Sequence, residues 1–322
     1  MTAASSAVIA KAVGQVVENG GTATVLCHMR PDADTIGSGL ALAVALDRLG
    51  VDVEVAYPGP EALPNALAHL PGSHLLVDAD EVVGRELTIS VDAASISRLG
   101  DLGPHLEAAQ TSIVIDHHAS NAGFADLDFV DPDADCTAEL VLRVLDDMGV
   151  DIDENIATCL YAGLTTDTGS FRWARPESFR MAARLIEVGI DARGWSRLLF
   201  DTHPFAWFGM VSKVLGSAQL DPSACDGQGL VYAVVDRASL AGMSWEESES
   251  VVDIVRTARE AEVAAVFKEV DPGTWTVSLR SKSSVDLVPI ARSHGGGGHR
   301  HASGYSDSGT AAEVIARLRE SF

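Results

Sequence analysis

Cysteine is scarce in this chain. Its four cysteines, Cys27, Cys136, Cys159 and Cys225, stand far apart, with no CxxC pair and no cluster with histidine. That spacing excludes a disulfide framework and a structural zinc site, and a reducing cytoplasm is the compartment that fits. Long apolar runs are missing too. No stretch of about 18 residues is apolar throughout, so no membrane-spanning helix is expected. The opening segment AASSAVIAKAVGQVVENG has no basic start followed by an apolar core; it mixes Lys11, Gln15 and Glu18 into a helical pattern and reads as an amphipathic first helix. Basic residues are few: 23 Lys and Arg face 46 Asp and Glu, for a net charge of −23. A protein that grips long nucleic acid needs the opposite balance, so duplex DNA is not expected as the main partner. A small anionic substrate stays open, because bound divalent cations can reverse the sign of a local site.

What is present points to two domains. With 322 residues and 47% hydrophobic content, the chain exceeds one typical domain and supports a real core. TATVLC (22–27), VDVEVAY (51–57), LTISVD (87–92) and SIVID (112–116) read as strands. GSGLALAVALDRLG (37–50), a stretch around 99–109, and TAELVLRVLDDMG (137–149) read as helices. Strands separated by helices imply an α/β fold with a mainly parallel sheet covered on both faces. From 153 to about 216 the pattern is almost wholly helical, with a break at Arg175-Pro176. SAQLDPSACDGQG (217–229) is rich in Ser, Asp, Gly and Pro and is the best linker candidate. Beyond it, LVYAVVD (230–236), AEVAAVFKEVD (261–271) and TWTVSLRS (274–281) read as strands, SWEESESVVDIVRTARE (244–260) as a helix, HGGGGHRHASG (294–304) as a glycine-rich loop and GTAAEVIARLRESF (309–322) as a last helix. The expected organisation is thus a domain over 1–216, a linker over 217–229 and a smaller α/β domain over 230–322.

Acidic residues and histidines recur where the strands end. CHMRPDADTIGSG follows the first strand and precedes a helix, which puts His28, Asp32 and Asp34 in one loop. Taken alone this is ordinary turn and capping chemistry, with Thr35 a possible cap. However, LTISVD ends on Asp92, SIVID ends on Asp116 followed by His117 and His118, and the apolar helix ATCLYAGLTTDTGSF carries Asp167 near its end. In a parallel sheet the carboxyl ends of all strands share one edge, where ligands bind. Oxygen donors with a few imidazoles and no thiolate suit Mn²⁺, Mg²⁺ or a comparable ion. Two such ions roughly 3.5–4 Å apart would clamp a phosphoryl oxygen and acidify a water, which is the chemistry of phosphoester or anhydride hydrolysis. In the second half, four successive glycines remove every Cβ and allow backbone N–H groups to approach an anion. Arg292, His294, His299 and Ser303 add donors around them.

These motifs together resemble the DHH phosphoesterases, named for the triplet that is here Asp116-His117-His118. CHMRPDADTIGS, SVDAA, IDHHASN and TTDTGSF stand in the family's order, and GGGGHRHASG resembles the signature of the associated DHHA1 domain. The arrangement is most like the stand-alone oligoribonuclease and 3′,5′-bisphosphate nucleotidase branch. The resemblance implies one ion on His28 and Asp32, another on Asp34 and His117, and Asp92 and Asp167 contacting or bridging both. Mn²⁺ is the implied metal, with Mg²⁺ or Co²⁺ as alternatives. It implies that His118 faces the scissile phosphate. Asp116 either orients a histidine or is a strand-end residue bonding local backbone amides. Ser278, Arg280, Gly296, Gly297, Gly298, His299 and Ser303 would form the nucleotide platform, and Arg172 and Trp173 would be either substrate contacts or an interface pair. The implied substrates are short RNA, pApA, cyclic di-AMP and 3′,5′-bisphosphoadenosine. The competing readings are a manganese pyrophosphatase and a nucleotide sensor without turnover. A homodimer through the helical region 153–216 is compatible with the pattern.

Overall fold

The computed structural model describes residues 4–240 and 242–322; the first residue of the opening segment, Ala3, lies outside these. The chain divides into two compact units, Met1–Thr202 and His203–Phe322.

The first unit begins with α1 (Ser6–Glu18), β1 (Thr22–Leu26), α2 (Ala33–Arg48), β2 (Asp52–Ala56), β3 (Leu87–Val91), α3 (Gly103–Ala108), β4 (Thr111–Asp116) and β5 (Leu127–Val130). It continues with α4 (Thr137–Asp147), α5 (Glu154–Asp167), α6 (Pro176–Glu187) and α7 (Ala192–Phe200). The five strands are all parallel, in the order β2-β1-β3-β4-β5. Every residue of β3 is buried, as expected where helices cover both faces of a sheet. The chain runs outward from β1 to β2 and then returns to β3 on the other side of β1. That reversal opens a crevice at the carboxyl ends of β1 and β3, the usual ligand position in open α/β sheets. The pairing of Leu26 with Ser90 sends the loops carrying His28 and Asp92 out of the sheet side by side. Strand β5 was not legible in LDFV, a short segment at the sheet edge.

Two glycines let α2 and α5 pack closely. A Cβ on Gly37 would lie 2.3 Å from the carbonyl oxygen of Cys159, and one on Gly163 would lie 2.5 Å from Asp34 Oδ1. The helix crossing therefore brings the start of α2, with Asp34, beside α5. After α5, the break at Arg175 is a helix start: Arg175 is extended and Pro176 opens α6, where a missing N–H costs nothing.

The second unit contains α8 (Phe205–Gly216), β6 (Gln219–Asp221), α9 (Ala224–Gly227), β7 (Leu230–Val235), α10 (Val251–Val255), β8 (Val263–Asp271), β9 (Thr274–Ser281), α11 (Val288–Ser293), β10 (Gly297–His299), β11 (Ala302–Ser308) and α12 (Ala311–Glu320). Its sheet runs β10-β11-β9-β8-β7-β6, with β7 and β8 parallel and the other neighbours antiparallel. The division differs from the composition-based expectation. Helix α8 places Met210, Val211 and Val214 in one core with Val231, Ala233 and Val235, so 203–216 packs with the second unit. The 217–229 stretch is not an open linker, because β6 pairs with β7. Its Asp and Gly content serves a tight turn in which Cys225, Asp226 and Gly227 all have positive φ. The helix expected over 244–260 shrinks to a 3₁₀ turn at Trp245–Ser248 and the short α10. Serine competition for backbone groups accounts for part of this, as Ser248 Oγ donates to the carbonyl of Trp245. The glycine-rich loop is itself the hairpin of β10 and β11.

Candidate functional site

The loop after β1 is anchored by Thr35. Its Oγ1 accepts from the His28 backbone N–H at 3.2 Å and donates to the Val91 carbonyl at 3.1 Å, which ties α2 to the ends of β1 and β3. His28 Nδ1 lies 2.8 Å from the Met29 carbonyl, and Nε2 lies 3.5 Å from Asp32 Oδ2 and 3.3 Å from Asp92 Oδ2. Asp32, and not Thr35, caps α2, accepting from the N–H groups of Asp34 and Thr35 through Oδ1. Its two oxygens thus divide the work: one caps the helix and the other faces His28. Asp34 is fully buried and accepts from the N–H groups of Thr137 (2.6 Å) and Ala138 (3.0 Å) at the start of α4. A helix N-terminus is a favourable place for a buried carboxylate. Asp92 sits at φ +58°, an uncommon conformation for a non-glycine residue. Its N–H bonds the Ile115 carbonyl and its Oδ1 accepts from Thr137 Oγ1, which hold it in that strained geometry.

The two adjacent histidines both reach Asp92 Oδ1, at 3.5 and 3.6 Å, and otherwise have different partners. His117 Nδ1 lies 3.2 Å from the Ala134 carbonyl, while Nε2 lies 3.1 Å from Asp167 Oδ2, 3.5 Å from Asp92 Oδ1 and 3.9 Å from Asp34 Oδ2. His118 Nδ1 lies 2.7 Å from Asp116 Oδ1. Asp116 is fully buried, and its second oxygen accepts at 2.7 Å from Asn121 Nδ2, which also donates to the Ala93 carbonyl. The Asp116 carboxylate is therefore engaged by side chains and held in register with the end of β4.

These contacts gather the first-unit residues into three groups of close donor atoms, Asp92 with Asp116 and His118 and, holding the six expected ligands, His28 with Asp32 and Asp92, and Asp34 with His117 and Asp167. Asp92 faces both ligand groups, since its two oxygens contact His28 and His117 separately. Burial raises the Asp34 carboxyl well above its ordinary range, and Asp92 and Asp167 add to the effect. Burial also raises Asp167, against the pull of His117. Burial and Arg98 would each lower His28, but Asp32 and Asp92 outweigh them and carry it up to about 10. His117 is likewise raised: burial opposes the shift, and Asp167, Asp92 and Asp34 win. Burial would raise Asp116, but His118 outweighs it and holds the carboxyl at about 2. The protein thus keeps protons in a crowd of buried carboxylates. Once deprotonated, Asp32, Asp34, Asp92 and Asp167 offer four negative charges, which match two divalent ions, and the donors are all oxygen or nitrogen. The nearby thiols of Cys27 and Cys136 are pushed up by burial and stand outside these groups. The residues present therefore fit two hard cations.

In the second unit, strand register sorts the other candidates. Ser278 pairs with Gly304, which pairs with Gly297, and Arg280 pairs with Ala302, which pairs with His299. Ser278, Arg280, Gly297 and His299 therefore share one face of the sheet. Ser303 pairs with Leu279 and Gly298 and, by the period of two, belongs to the opposite face. It is buried, with Oγ donating to the His299 carbonyl at 2.8 Å. The sheet itself accounts for two of the glycines. A Cβ on Gly296 would lie 2.1 Å from the Gly304 carbonyl oxygen, and Gly298, at φ +133°, would place one 2.6 Å from that of Ala302. His294 stacks on Tyr305 at 4.3 Å and bonds Ser321 through Nε2, an internal packing role.

Several residues of the site escaped the sequence reading. Thr137 contacts two of the carboxylates, Arg98 reaches His28 Nδ1 at 3.0 Å, and Asp253 holds Arg256 at 2.9 Å and lies 3.9 Å from Arg280. Asn121 stood inside IDHHASN, and Thr137 opened a helical pattern, so both carried a signal. Arg98 carried none, because only the fold brings it to its partner, whereas Arg256 and Asp253 are three apart along one helix.

Residues 22–164 match the DHH family, N-terminal domain, and residues 227–322 match the DHHA1 domain. The chain is 34% identical over 285 residues to the bifunctional oligoribonuclease and PAP phosphatase NrnA of Thermus thermophilus, covering 87% of this chain and 82% of that protein. It is 26% identical over 290 residues to the protein of the same name from Bacillus subtilis, covering 87% of each. Among solved structures, an exopolyphosphatase-related protein from Bacteroides fragilis superposes with a TM-score of 0.85 at 25% identity, over 97% of this chain and 94% of that one.

Proposed function

Because the chain belongs to the DHH family and carries a DHHA1 domain, we propose that it is a two-metal phosphoesterase of short nucleotides. Its substrates in this reading are short oligoribonucleotides, pApA or cyclic di-AMP, and the 3′-phosphate of 3′,5′-bisphosphoadenosine. The observation that carries it is the convergence of His28, Asp32 and Asp92 in one group and Asp34, His117 and Asp167 in another, with Asp92 contacting a histidine of each.

His28 and Asp32 would hold one ion and Asp34 and His117 the other, with Asp92 and Asp167 between them. When bound, two such ions, Mn²⁺ by preference with Mg²⁺ or Co²⁺ as alternatives, supply positive charge to the phosphoryl group and a nucleophilic water at neutral pH. The chain's own groups do the rest. With Nδ1–H given to Asp116, His118 in its doubly protonated form would donate Nε2–H to a phosphate oxygen and stabilise charge that develops there. Asp116, steadied by Asn121, fixes the tautomer and the ring angle. On the second unit, Arg280 and His299 supply charged or polar donors to the nucleotide, beside Ser278 and the bare backbone at Gly297.

Purified protein with Mn²⁺ should release AMP from pApA and from 3′,5′-bisphosphoadenosine. Cyclic di-AMP and pyrophosphate complete the panel. Turnover of pyrophosphate alone would replace this reading with a pyrophosphatase, and nucleotide binding without turnover would replace it with a sensor. His299→Ala should raise KM more than it lowers kcat if the platform is as described.

A further inference from the structure

Directly after Asp167 the backbone takes three successive positive φ values, at Gly169 (54°), Ser170 (57°) and Phe171 (65°). Serine and phenylalanine adopt this left-handed region reluctantly. Something must hold them there. Ser170 N–H bonds the Thr165 carbonyl at 2.8 Å, Gly169 N–H bonds that of Thr166 at 2.9 Å, and Phe171 N–H bonds Thr168 Oγ1 at 3.1 Å. The Phe171 ring packs on Tyr161 and Phe179, with centroids 6.4 and 5.5 Å away.

The turn delivers Trp173 to the backbone of Asp167. Its Nε1–H donates to the carbonyl of Asp167 itself at 2.7 Å. The ring rests so closely on Gly169 that a Cβ there would lie 2.1 Å from Cη2. One hydrogen bond and one bare Cα thus fix the indole beside a metal-ligand candidate, yet Trp173 is 46% exposed. A tryptophan used for packing alone would bury more of a side chain this large.

We propose that the exposed surface of Trp173 is a stacking platform for a nucleobase of the substrate whose phosphate lies at the metal site; this rests on the nucleotide phosphoesterase reading. Stacking suits this molecule. Every base has a π-face, so a short nucleotide is held without readout of its sequence. The contact is also insensitive to the repulsion that a chain of net charge −23 exerts on phosphates. Because the indole is tethered before substrate arrives, little side-chain freedom is lost on binding. Thr165, Thr166 and Thr168 are part of the same device, since their backbone and hydroxyl groups hold the turn.

The test compares a dinucleotide such as pApA with versions abasic at either position, on wild type, Trp173→Ala and Trp173→Phe. On the intact dinucleotide, Trp173→Ala should raise KM by roughly 5- to 150-fold, the range of one base–aromatic stack. Trp173→Phe, which keeps a ring but loses the tether, should recover much of that loss. On the substrate abasic at the stacked position, Trp173→Ala should match wild type. A second readout needs no turnover: AMP should quench the wild-type fluorescence component that Trp173→Phe removes, and ribose 5-phosphate should not. If both variants lose activity equally on intact and abasic substrates, Trp173 only positions Asp167 and the platform is overturned. If wild type neither binds nor hydrolyses nucleotides, the failure lies in the nucleotide reading itself, and the platform falls with it.

Discussion

Asp92 is the residue on which the site turns. It occupies a strained backbone position, accepts from Thr137 and faces His28 with one oxygen and His117 with the other. Asp92→Asn should reduce turnover by more than the roughly 10–100-fold typical of residues that only support a metal ligand. Metal content measured on the purified variant should fall while the circular dichroism spectrum stays native. Near-normal activity would refute the shared-carboxylate arrangement. The histidines give a pH prediction. In the metal-free protein His28 is raised from 6.5 to about 10 and His117 is raised as well, so both carry protons at neutral pH that metal binding must expel. For His28 the sign follows directly: its contribution to the metal-free fold is complete below about 6.5 and is lost as pH climbs through about 10. Thermal melts in chelator should therefore weaken across that window, while the added stability from Mn²⁺ grows. Titration calorimetry in buffers of different ionisation heat should register the released protons; no release at pH 7 would contradict the assignment.

At the scale of elements, two junctions build the centre. The first is the crossing of α2 and α5. Gly163→Ala would press a methyl to 2.5 Å from Asp34 Oδ1 and 3.0 Å from its Cα. Overpacking of this kind costs about 1–3 kcal/mol, and here part of that cost falls on a ligand candidate. The expected result is a lowered melting temperature together with weakened metal affinity; loss of stability alone would mean that Asp34 tolerates the shift. The second junction is the N-terminus of α4, where backbone N–H groups hold Asp34 and the Thr137 hydroxyl holds Asp92. Thr137→Val keeps the shape and the backbone donors but removes the hydroxyl. Metal affinity should drop roughly 10–100-fold with the fold intact, and an unchanged affinity would show that Asp92 is positioned by its backbone alone.

The whole molecule carries a charge of −23, which acts against long anionic substrates. The ratio of kcat/KM for a dinucleotide over that for a 20-residue RNA should be largest at low ionic strength and shrink as salt screens the repulsion. A protein with a basic nucleic-acid groove would lose affinity with salt, and that behaviour here would contradict the short-substrate reading. Much of this was written in the sequence. Apolar runs separated by amphipathic segments dictate a parallel sheet, and a parallel sheet places the residues after each strand on one edge, so His28, Asp92 and His117 had to meet. Strand register was latent in the pattern as well, but it took the hydrogen-bonded pairs to separate Ser278, Arg280 and His299 from Ser303, because a shift of one residue reverses every side chain. Other features depend on contacts far apart in the chain. Arg98 lies 70 residues from His28, and Thr137 lies 45 from Asp92. Likewise, the glycines at 296 and 298 looked like an anion loop until β11 supplied the backbone that a Cβ would strike. Local sequence determined which elements form and which chemistry sits at their ends; only tertiary packing decided which donor steadies each ligand, because those partners are chosen by proximity in space.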